Sequence, residues 1–317
     1  MGAIIKQIRI IPNCVEPARG RSGLAAVGAA LLLAACSVAP VKDEAPVVQV
    51  PAPVVVKRPP KLGLALGGGA ARGFAHVGVI QVLDEAGLRP DFVTGTSAGS
   101  LVAALYASGR SGAQLQQVAE GMEEAAFTDW TLPIFSRGLL RGEALGRYVN
   151  GQVGGKLIEQ MPVSLGIVAT DLNSGQGVLF QRGDTGTAVR ASSAVPAVFL
   201  PVKIGTHEYV DGGLVSPVPV RYARQMGAEL VIAVDISSAP EGNPAGGQLQ
   251  ILLQTFAIMG KSINSFELRE ADLVVRPALV GVGSADFTAR RRAIEAGRVA
   301  MQRLLPQLKA AIEAKTK

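Results

Sequence analysis

The chain contains few cysteines, aromatic residues and histidines, and each shortage limits the classes of fold or site that the chain can form. Its 317 residues include only two cysteines, Cys14 and Cys36, which excludes a disulfide-rich scaffold. Aromatic residues make up 4% of the chain although 48% of it is hydrophobic, so Ala, Val, Leu and Gly must supply the core. This composition favours an α/β protein with a buried parallel sheet.

The chain also lacks a concentrated positive charge. The net charge is +6, and residues 1–35 contribute +3 of it, which leaves +3 for the rest of the chain. The charged residues of this segment are Lys6, Arg9, Glu16, Arg19 and Arg21. A charge this small and scattered does not indicate a nucleic-acid partner.

The first 35 residues are typical of a targeting segment. Basic residues precede an apolar run from Gly23 to Ala35, which is shorter than the roughly 20 residues that span a bilayer. Its end, Leu33-Ala34-Ala35-Cys36, resembles the lipobox of bacterial lipoproteins. The resemblance implies cleavage before Cys36, lipidation of that cysteine, and a lipid-anchored protein of the bacterial envelope. An ordinary secretory signal is the alternative. Ser37 weakly favours the outer membrane, with the protein facing the periplasm.

The stretch from Asp91 to Tyr106 carries the main functional signal. An apolar run at 92–94 predicts a strand and residues 101–108 predict a helix, and Gly95-Thr96-Ser97-Ala98-Gly99 lies between them. This is the G-x-S-x-G pattern of a nucleophile elbow, whose glycines leave room for a serine in a strained turn. A structural Gly-Ser turn has the same pattern and remains open.

A glycine-rich turn follows the predicted strand Lys61–Leu66 and precedes a predicted helix at 74–86. It reads Gly67-Gly68-Gly69-Ala70-Ala71-Arg72-Gly73. Its amides favour an oxyanion hole, with a phosphate cradle or a structural turn as alternatives. The phosphate patterns do not fit, because Lys-Ser/Thr is missing and Arg72 replaces the third glycine. Arg72 either stabilises the loop, senses an anionic head group, or is a solvated cation.

A serine nucleophile needs a base, and the chain has only two histidines. His76 lies just after the glycine-rich turn, where packing or capping is the simpler interpretation. His207 lies on a predicted hairpin tip at 204–209 and is most simply solvated. Asp211, in Tyr209-Val210-Asp211-Gly212-Gly213, is the better candidate base, although the same residues also predict an Asx-turn.

Taken in order, the three blocks at 67–73, 95–99 and 211–213 resemble the signature motifs of patatin-like phospholipases. The resemblance covers about residues 61–317, and the segments 169–172, 190–196 and 283–287 are also similar to the bacterial branch of that family. It implies a three-layer α/β/α fold with a mostly parallel sheet, and a Ser-Asp dyad that hydrolyses lipid acyl esters without metal or cofactor. The implied site residues are the nucleophile Ser97, the base Asp211, the oxyanion loop Gly67, Gly68, Gly69, Arg72 and Gly73, and the supporting glycines Gly95, Gly99, Gly212 and Gly213.

We therefore expect a signal peptide at 1–35, a proline-rich linker at 36–60 and a hydrolase domain at 61–317. The expected substrate is a phospholipid or another acyl ester, and the alternative function is a non-catalytic lipid-binding lipoprotein.

A loop at 127–135 holds Trp130 and either lines an acyl groove, touches a bilayer or packs internally. Residues 240–247 predict a flexible loop. Further predicted elements are helices at 115–126 and 290–315, and strands at 165–169, 230–234 and 273–275.

Overall fold

A computed structural model describes residues 57–123, 129, 137–238 and 246–317. These residues belong to one compact unit, Val55–Lys317. The predictions for the signal peptide, for Cys36, for most of the linker and for the Trp130 loop lie outside the described residues. The same holds for residues 240–245 of the predicted flexible loop.

The described residues form ten strands and eight helices. The strands are β1 Leu62–Leu66, β2 Phe92–Thr96, β3 Gly138–Leu140, β4 Ser164–Asp171, β5 Gly177–Phe180, β6 Ala197–Phe199, β7 Val202–Ile204, β8 His207–Asp211, β9 Leu230–Val234 and β10 Leu273–Val275. The helices are α1 Phe74–Glu85, α2 Ala98–Ala107, α3 Gly112–Glu120, α4 Glu143–Gln152, α5 Thr185–Ser192, α6 Val220–Gln225, α7 Gln248–Glu267 and α8 Arg290–Lys315.

Eight of these strands form one mixed sheet in the order β10-β9-β1-β2-β4-β8-β7, with β5 also paired to β4. The strands from β10 to β4 run parallel, whereas β5, β7 and β8 pair antiparallel. Every residue of β1 and β9 is buried. Their continuous apolar sequences are what a parallel strand covered on both faces requires.

Helices cover both faces of the sheet, so the expected three-layer α/β/α fold is confirmed. The larger core lies under α1, α2, α3 and α8, and a smaller one packs α6 against the opposite face. A Cβ atom on Gly78 of α1 would lie 1.9 Å from the carbonyl oxygen of Ile294, and one on Gly297 of α8 would lie 2.0 Å from that of Ala75. Glycine at both positions therefore lets these two helices touch backbone to backbone.

The sequence predicted several boundaries correctly and misplaced others, among them those of α2, predicted at 101–108, and of β4, predicted at 165–169. β9, β10 and α8 have the predicted ends, and the hairpin at 204–209 is formed by β7 and β8. The helix predicted at 115–126 begins instead at Gly112, because Ser111 caps it through a capping box with Gln114, and it ends at Glu120. The long helix α7 was not predicted. None of the described helices combines the length and the apolar character needed to cross a membrane.

Candidate functional site

Ser97 occupies the turn between β2 and α2 in a strained backbone conformation. Its φ of 53° and ψ of −123° are uncommon for a residue with a side chain. A Cβ atom on Gly99 would lie 2.1 Å from the Leu66 carbonyl oxygen, and one on Gly95 would lie 2.5 Å from the Gly99 carbonyl oxygen. The predicted need for glycine on both sides of the serine is confirmed, because a side chain there would strike backbone.

Two buried serines hold the Ser97 backbone in this conformation. The Ser97 amide donates a hydrogen bond of 2.9 Å to the Ser192 hydroxyl, which donates to the Val168 carbonyl at 2.5 Å. The Ser100 hydroxyl donates to the Ser97 carbonyl at 2.6 Å. Ser192 belongs to the segment 190–196 noted above, but nothing in the sequence assigned it this role.

β2 and β8 reach the same edge of β4 from opposite directions. The last residue of β2, Thr96, pairs with Val168, and the last residue of β8, Asp211, pairs with Ala169. β5 occupies the other edge of β4 at both positions, so β2 and β8 end side by side. Ser97 and Asp211, more than a hundred positions apart in the chain, are therefore neighbours in space.

The Asp211 carboxyl group is buried, and its two oxygen atoms have different surroundings. Oδ1 accepts a 2.7 Å hydrogen bond from the Gly213 amide, so the predicted Asx-type turn is present. Oδ2 is buried and receives no hydrogen bond of ordinary geometry within the described part of the chain. Gly212 allows this placement, because a Cβ atom there would lie 2.3 Å from the Val168 carbonyl oxygen.

Burial raises the pKa of Asp211 to about 6, and the Ser97 side chain and the Gly213 amide oppose the shift only in part. Ser97 is thus close enough to lower the pKa of the carboxyl group, although its hydroxyl makes no hydrogen bond of ordinary geometry with that group. Contacts of this kind are often long before substrate binds.

Not every amide of the glycine-rich turn that was expected to donate to an oxyanion is available for this role. Gly67 donates to the Val234 carbonyl at 3.0 Å and Gly68 to the Pro217 carbonyl at 2.9 Å, so neither of these amides is available to an oxyanion in this structure. The amides of Gly69 and Ala70 donate to no carbonyl of the described residues. The same is true of Ala98 and Gly99, the first amides of α2.

Arg72 does not contribute to this set of amides. Its own amide donates to the Gly69 carbonyl, and its buried guanidinium donates to the Ser238 hydroxyl at 2.5 Å. Burial lowers the pKa of Arg72, and Asp235 partly offsets the shift. Arg72 is therefore neither a solvated cation nor an oxyanion donor. Its buried guanidinium stabilises the glycine-rich loop through the bond to Ser238. Gly73 borders the cavity described below.

Neither histidine is placed to serve Ser97. His76 is fully buried, and its Nε2–H group donates to the Gly67 carbonyl at 2.8 Å. Burial lowers its pKa to about 4, so it is neutral and supports the glycine-rich turn. His207 is half-exposed and pairs through Nδ1 with Asp171 at 2.7 Å. The packing predicted for His76 is confirmed, and His207 has a partner that sequence reasoning missed.

A cavity of about 320 Å³ opens at Ser97. Its walls come mainly from α1, α2 and α3, and along α2 they include Ala98, Leu101, Val102 and Leu105. Among the described residues that line it, only Ser97, Ser193 and Ser284 are polar and none is charged. Such a cavity suits a flexible apolar chain. The described residues contain no group of three or more His, Cys, Asp or Glu side chains that could hold a metal ion.

Comparison with known proteins agrees with this geometry. The family model of patatin-like phospholipases matches residues 64–224. An uncharacterised NTE family protein of Mycobacterium tuberculosis is 38% identical over 184 residues, which cover 58% of this chain and 51% of that protein. A second from the same organism is 31% identical over 273 residues, covering 77% of this chain and 46% of that protein. The chain thus spans about half the length of these relatives.

Two further matches are more distant. The patatin-like phospholipase domain-containing protein 6 of Mus musculus is 35% identical over 189 residues, which cover 57% of this chain and 14% of that protein. The crystal structure of VipD from Legionella pneumophila aligns with a TM-score of 0.51 at 16% identity, covering 78% of this chain and 66% of that one. At this identity the structural match supports the fold alone.

Proposed function

The chain belongs to the patatin-like phospholipase family, and from that membership we propose that it is a lipid acyl hydrolase with Ser97 as nucleophile and Asp211 as general base. The reaction is the hydrolysis of a carboxylic ester of a phospholipid or a related lipid. One observation carries the proposal: a buried carboxyl group with a raised pKa lies beside a strained serine at the mouth of an apolar cavity. Catalytic groups with shifted pKa values are typical of such pockets.

Acylation requires a proton acceptor and an oxyanion site. The Ser97 hydroxyl oxygen bonds to the ester carbonyl carbon, and its proton passes to Oδ2 of Asp211. The negative charge that develops on the carbonyl oxygen is stabilised by the amides of Gly69, Ala70 and Ala98, which donate to no carbonyl of the described residues. Breakdown of the tetrahedral intermediate breaks the ester bond, and Asp211 returns the proton to the departing alcohol.

Deacylation repeats these steps with water. Asp211 accepts a proton from water, whose oxygen attacks the acyl-enzyme carbonyl carbon, and the proton then returns to Ser97 as the fatty acid leaves. The strained turn places Ser97 directly before the N-terminus of α2, where the Ala98 amide donates to no carbonyl of the described residues. The acyl chain occupies the cavity along α2. From Ser97 to Leu105 this wall extends about 12 Å, at roughly 1.5 Å per residue.

The purified protein is expected to release fatty acid from phospholipid vesicles and alcohol from p-nitrophenyl esters. Because Asp211 must be ionised to accept a proton and burial raises its pKa to about 6, kcat/KM should fall as the pH decreases through that value. Well below it the decrease should approach about tenfold per pH unit. The measurement is a pH–rate profile with a soluble ester, with circular dichroism at each pH to verify folding.

A kcat/KM that is constant from about pH 5 to pH 8 would contradict Asp211 as the base with this raised pKa. A folded protein that hydrolyses no ester and does not react with a fluorophosphonate probe would instead favour the non-catalytic lipid-binding alternative.

Ser192 is expected to act as a positioning residue. Its hydroxyl links the Ser97 amide to the Val168 carbonyl, so Ser192→Ala removes both bonds and relaxes the strained turn. We expect kcat to decrease about 10- to 100-fold while KM for a soluble ester is nearly unchanged. Ser108→Ala is the matched control, because it removes a hydroxyl that bonds the Leu105 carbonyl at the far end of α2. Equal losses in both variants would show that the effect is only one of stability.

We propose in addition that the protein is anchored to the bacterial envelope through lipidated Cys36, with the outer membrane as the expected location. The lipobox-like residues 33–36 support this proposal. Several acyl chains on one cysteine give firm anchoring, because each buried methylene contributes about 0.8 kcal/mol. Cys36→Ser should release the protein from washed membranes.

A further inference from the structure

Helix α7 is an apolar helix that the other described residues leave largely uncovered. It extends from Gln248 to Glu267, and only Asn264 and Glu267 are buried. Of the nine large hydrophobic residues exposed among the described residues, six lie on it: Leu249, Ile251, Leu253, Ile258, Met259 and Phe266. A soluble protein rarely concentrates its exposed apolar residues in this way unless the surface binds something.

The last turns of α7 attach it to the body of the protein. Glu267 accepts a hydrogen bond of 2.5 Å from the Ser216 hydroxyl, and Asn264 donates one of 3.1 Å to the Ser237 hydroxyl. Ser216 also accepts from the Thr96 hydroxyl and donates its amide to the Gly212 carbonyl. The attachment point of α7 is thus bonded to the residues that directly precede Ser97 and follow Asp211.

The first part of α7, residues 248–259, is apolar around most of its circumference. Successive residues turn by about 100°, so the apolar side chains point to most sides of the helix, and the polar residues Gln248, Gln250, Gln254 and Thr255 form two narrow stripes between them. The apolar residues are Leu249, Ile251, Leu252, Leu253, Phe256, Ala257, Ile258 and Met259. A second protein covers one stripe of a helix, whereas a helix that is apolar on most of its sides suits an apolar medium around it.

The charge distribution around α7 also favours a lipid bilayer as this apolar medium. Residues 246–266 contain no aspartate or glutamate, and Lys261 is their only charged residue. Beyond them, the Arg269 guanidinium lies 5.4 Å from the centre of the Phe266 ring. The acidic residues Glu267 and Glu270 lie at the attached end of the helix, so residues 248–259 carry no charge that an anionic bilayer would repel. Exposed apolar and aromatic side chains beside basic residues are typical of helices that lie in the head-group region of such bilayers.

We propose that residues 248–259 of α7 embed in the surface of a phospholipid bilayer and dock the protein on it. The helix lies in the plane of the interface, with its attached C-terminal turns holding the candidate site at the membrane. The choice of lipid over another apolar partner rests in part on the proposed function, since the bilayer would be both docking surface and source of substrate.

A local fluorescent probe tests this directly. In the full-length chain with Cys14→Ser and Cys36→Ser, Ile258→Cys is labelled with an environment-sensitive dye and mixed with vesicles of phosphatidylcholine and phosphatidylglycerol. We expect a blue shift and a several-fold rise in emission when vesicles are added. The matched control is the same label at Val280→Cys, because Val280 is 95% exposed and lies in a loop outside α7. That label should show no change.

Two results would overturn the docking proposal. One is an emission at Ile258→Cys that does not respond to vesicles. The other is a blue shift that appears without vesicles as the protein concentration rises, which would identify a second copy of the chain as the partner. Neither readout depends on catalysis, so failure here is distinct from failure of the proposed hydrolase function.

A second measurement connects docking with substrate access. Ile251→Ser combined with Ile258→Ser should lower hydrolysis of vesicle phospholipid at least tenfold and leave hydrolysis of a soluble p-nitrophenyl ester unchanged. Equal rates on vesicles for this variant and the wild type would count against a role of α7 in reaching the bilayer.

Discussion

Ser97→Ala is expected to abolish ester hydrolysis while leaving the fold intact. The substitution removes the atom that forms the acyl-enzyme, and loss of a catalytic serine typically lowers kcat by about 10³-fold or more. The backbone of residue 97 is held by Ser192 and Ser100 through main-chain groups, so alanine keeps both bonds. Steady-state kinetics with a soluble p-nitrophenyl ester measures the loss, and thermal unfolding measures stability.

Asp211→Asn is the companion variant, and its activity and stability should change in opposite directions. Asparagine cannot accept the serine proton, so we expect a loss of about 10²- to 10⁴-fold. Burial raises the pKa of Asp211 from 3.8 to about 6. Folding therefore favours the protonated form, and the ionised group destabilises the native state above the folded pKa. That cost is relieved as the pH falls below about 6.

A neutral amide should avoid this cost, so near pH 8 Asp211→Asn is expected to be more stable than the wild type by up to about 3 kcal/mol. The difference should shrink as the pH decreases towards 4. Wild-type turnover by Ser97→Ala, or by Asp211→Asn, would refute the dyad. Fluorophosphonate labelling that persists in Ser97→Ala would point to a different nucleophile.

Gly99→Ala is expected to be the most destabilising conservative change in the site. The added Cβ atom would lie 2.1 Å from the Leu66 carbonyl oxygen and 2.7 Å from that of Gly67. Both contacts are to backbone, so α2 has to move away from the end of β1. Overpacking of this kind typically costs about 1–3 kcal/mol and occasionally more, and we expect the upper end. Activity should fall as well, because the movement displaces Ser97 and the Ala98 amide.

Gly151→Ala is the matched control. Gly151 also lies in a helix, α4, but a Cβ atom there meets nothing within 4 Å. Alanine should therefore stabilise the protein by about 0.5–1 kcal/mol, which is the ordinary preference of a helix for alanine over glycine. Chemical denaturation of both variants measures the difference. Similar stability of Gly99→Ala and the wild type would mean that α2 packs less tightly against β1 than the structure indicates.

Local signals in the sequence predicted local structure well. The apolar runs at 62–66 and 230–234 are long enough only for buried strands, and the glycines around Ser97 follow from the space that a tight turn leaves. The preference for Asp211 over the histidines also came from local context. Its placement beside Ser97 agrees with that prediction, whereas its role as the base stays a prediction.

The hydrogen-bond partners of the glycine-rich turn could not be predicted from its local sequence. Each glycine of the turn carries an N–H group, and nothing in their sequence distinguishes Gly67 and Gly68 from Gly69. The distinction comes from distant carbonyl groups, those of Val234 and Pro217, which accept from the first two. Arg72 is a similar case, because its partner Ser238 lies 166 residues further along the chain.

Periodicity and local context thus predicted the strand–turn–helix units and the candidate nucleophile and base, and the resemblance of three motifs indicated the family. Only the tertiary structure decided which amides remain available, that Ser192 holds the serine turn, and that the other described residues leave α7 largely uncovered. The physical reason is that strand and turn preferences act between near neighbours. Hydrogen-bond partners and burial depend on groups that the folded sheet brings together from distant parts of the chain.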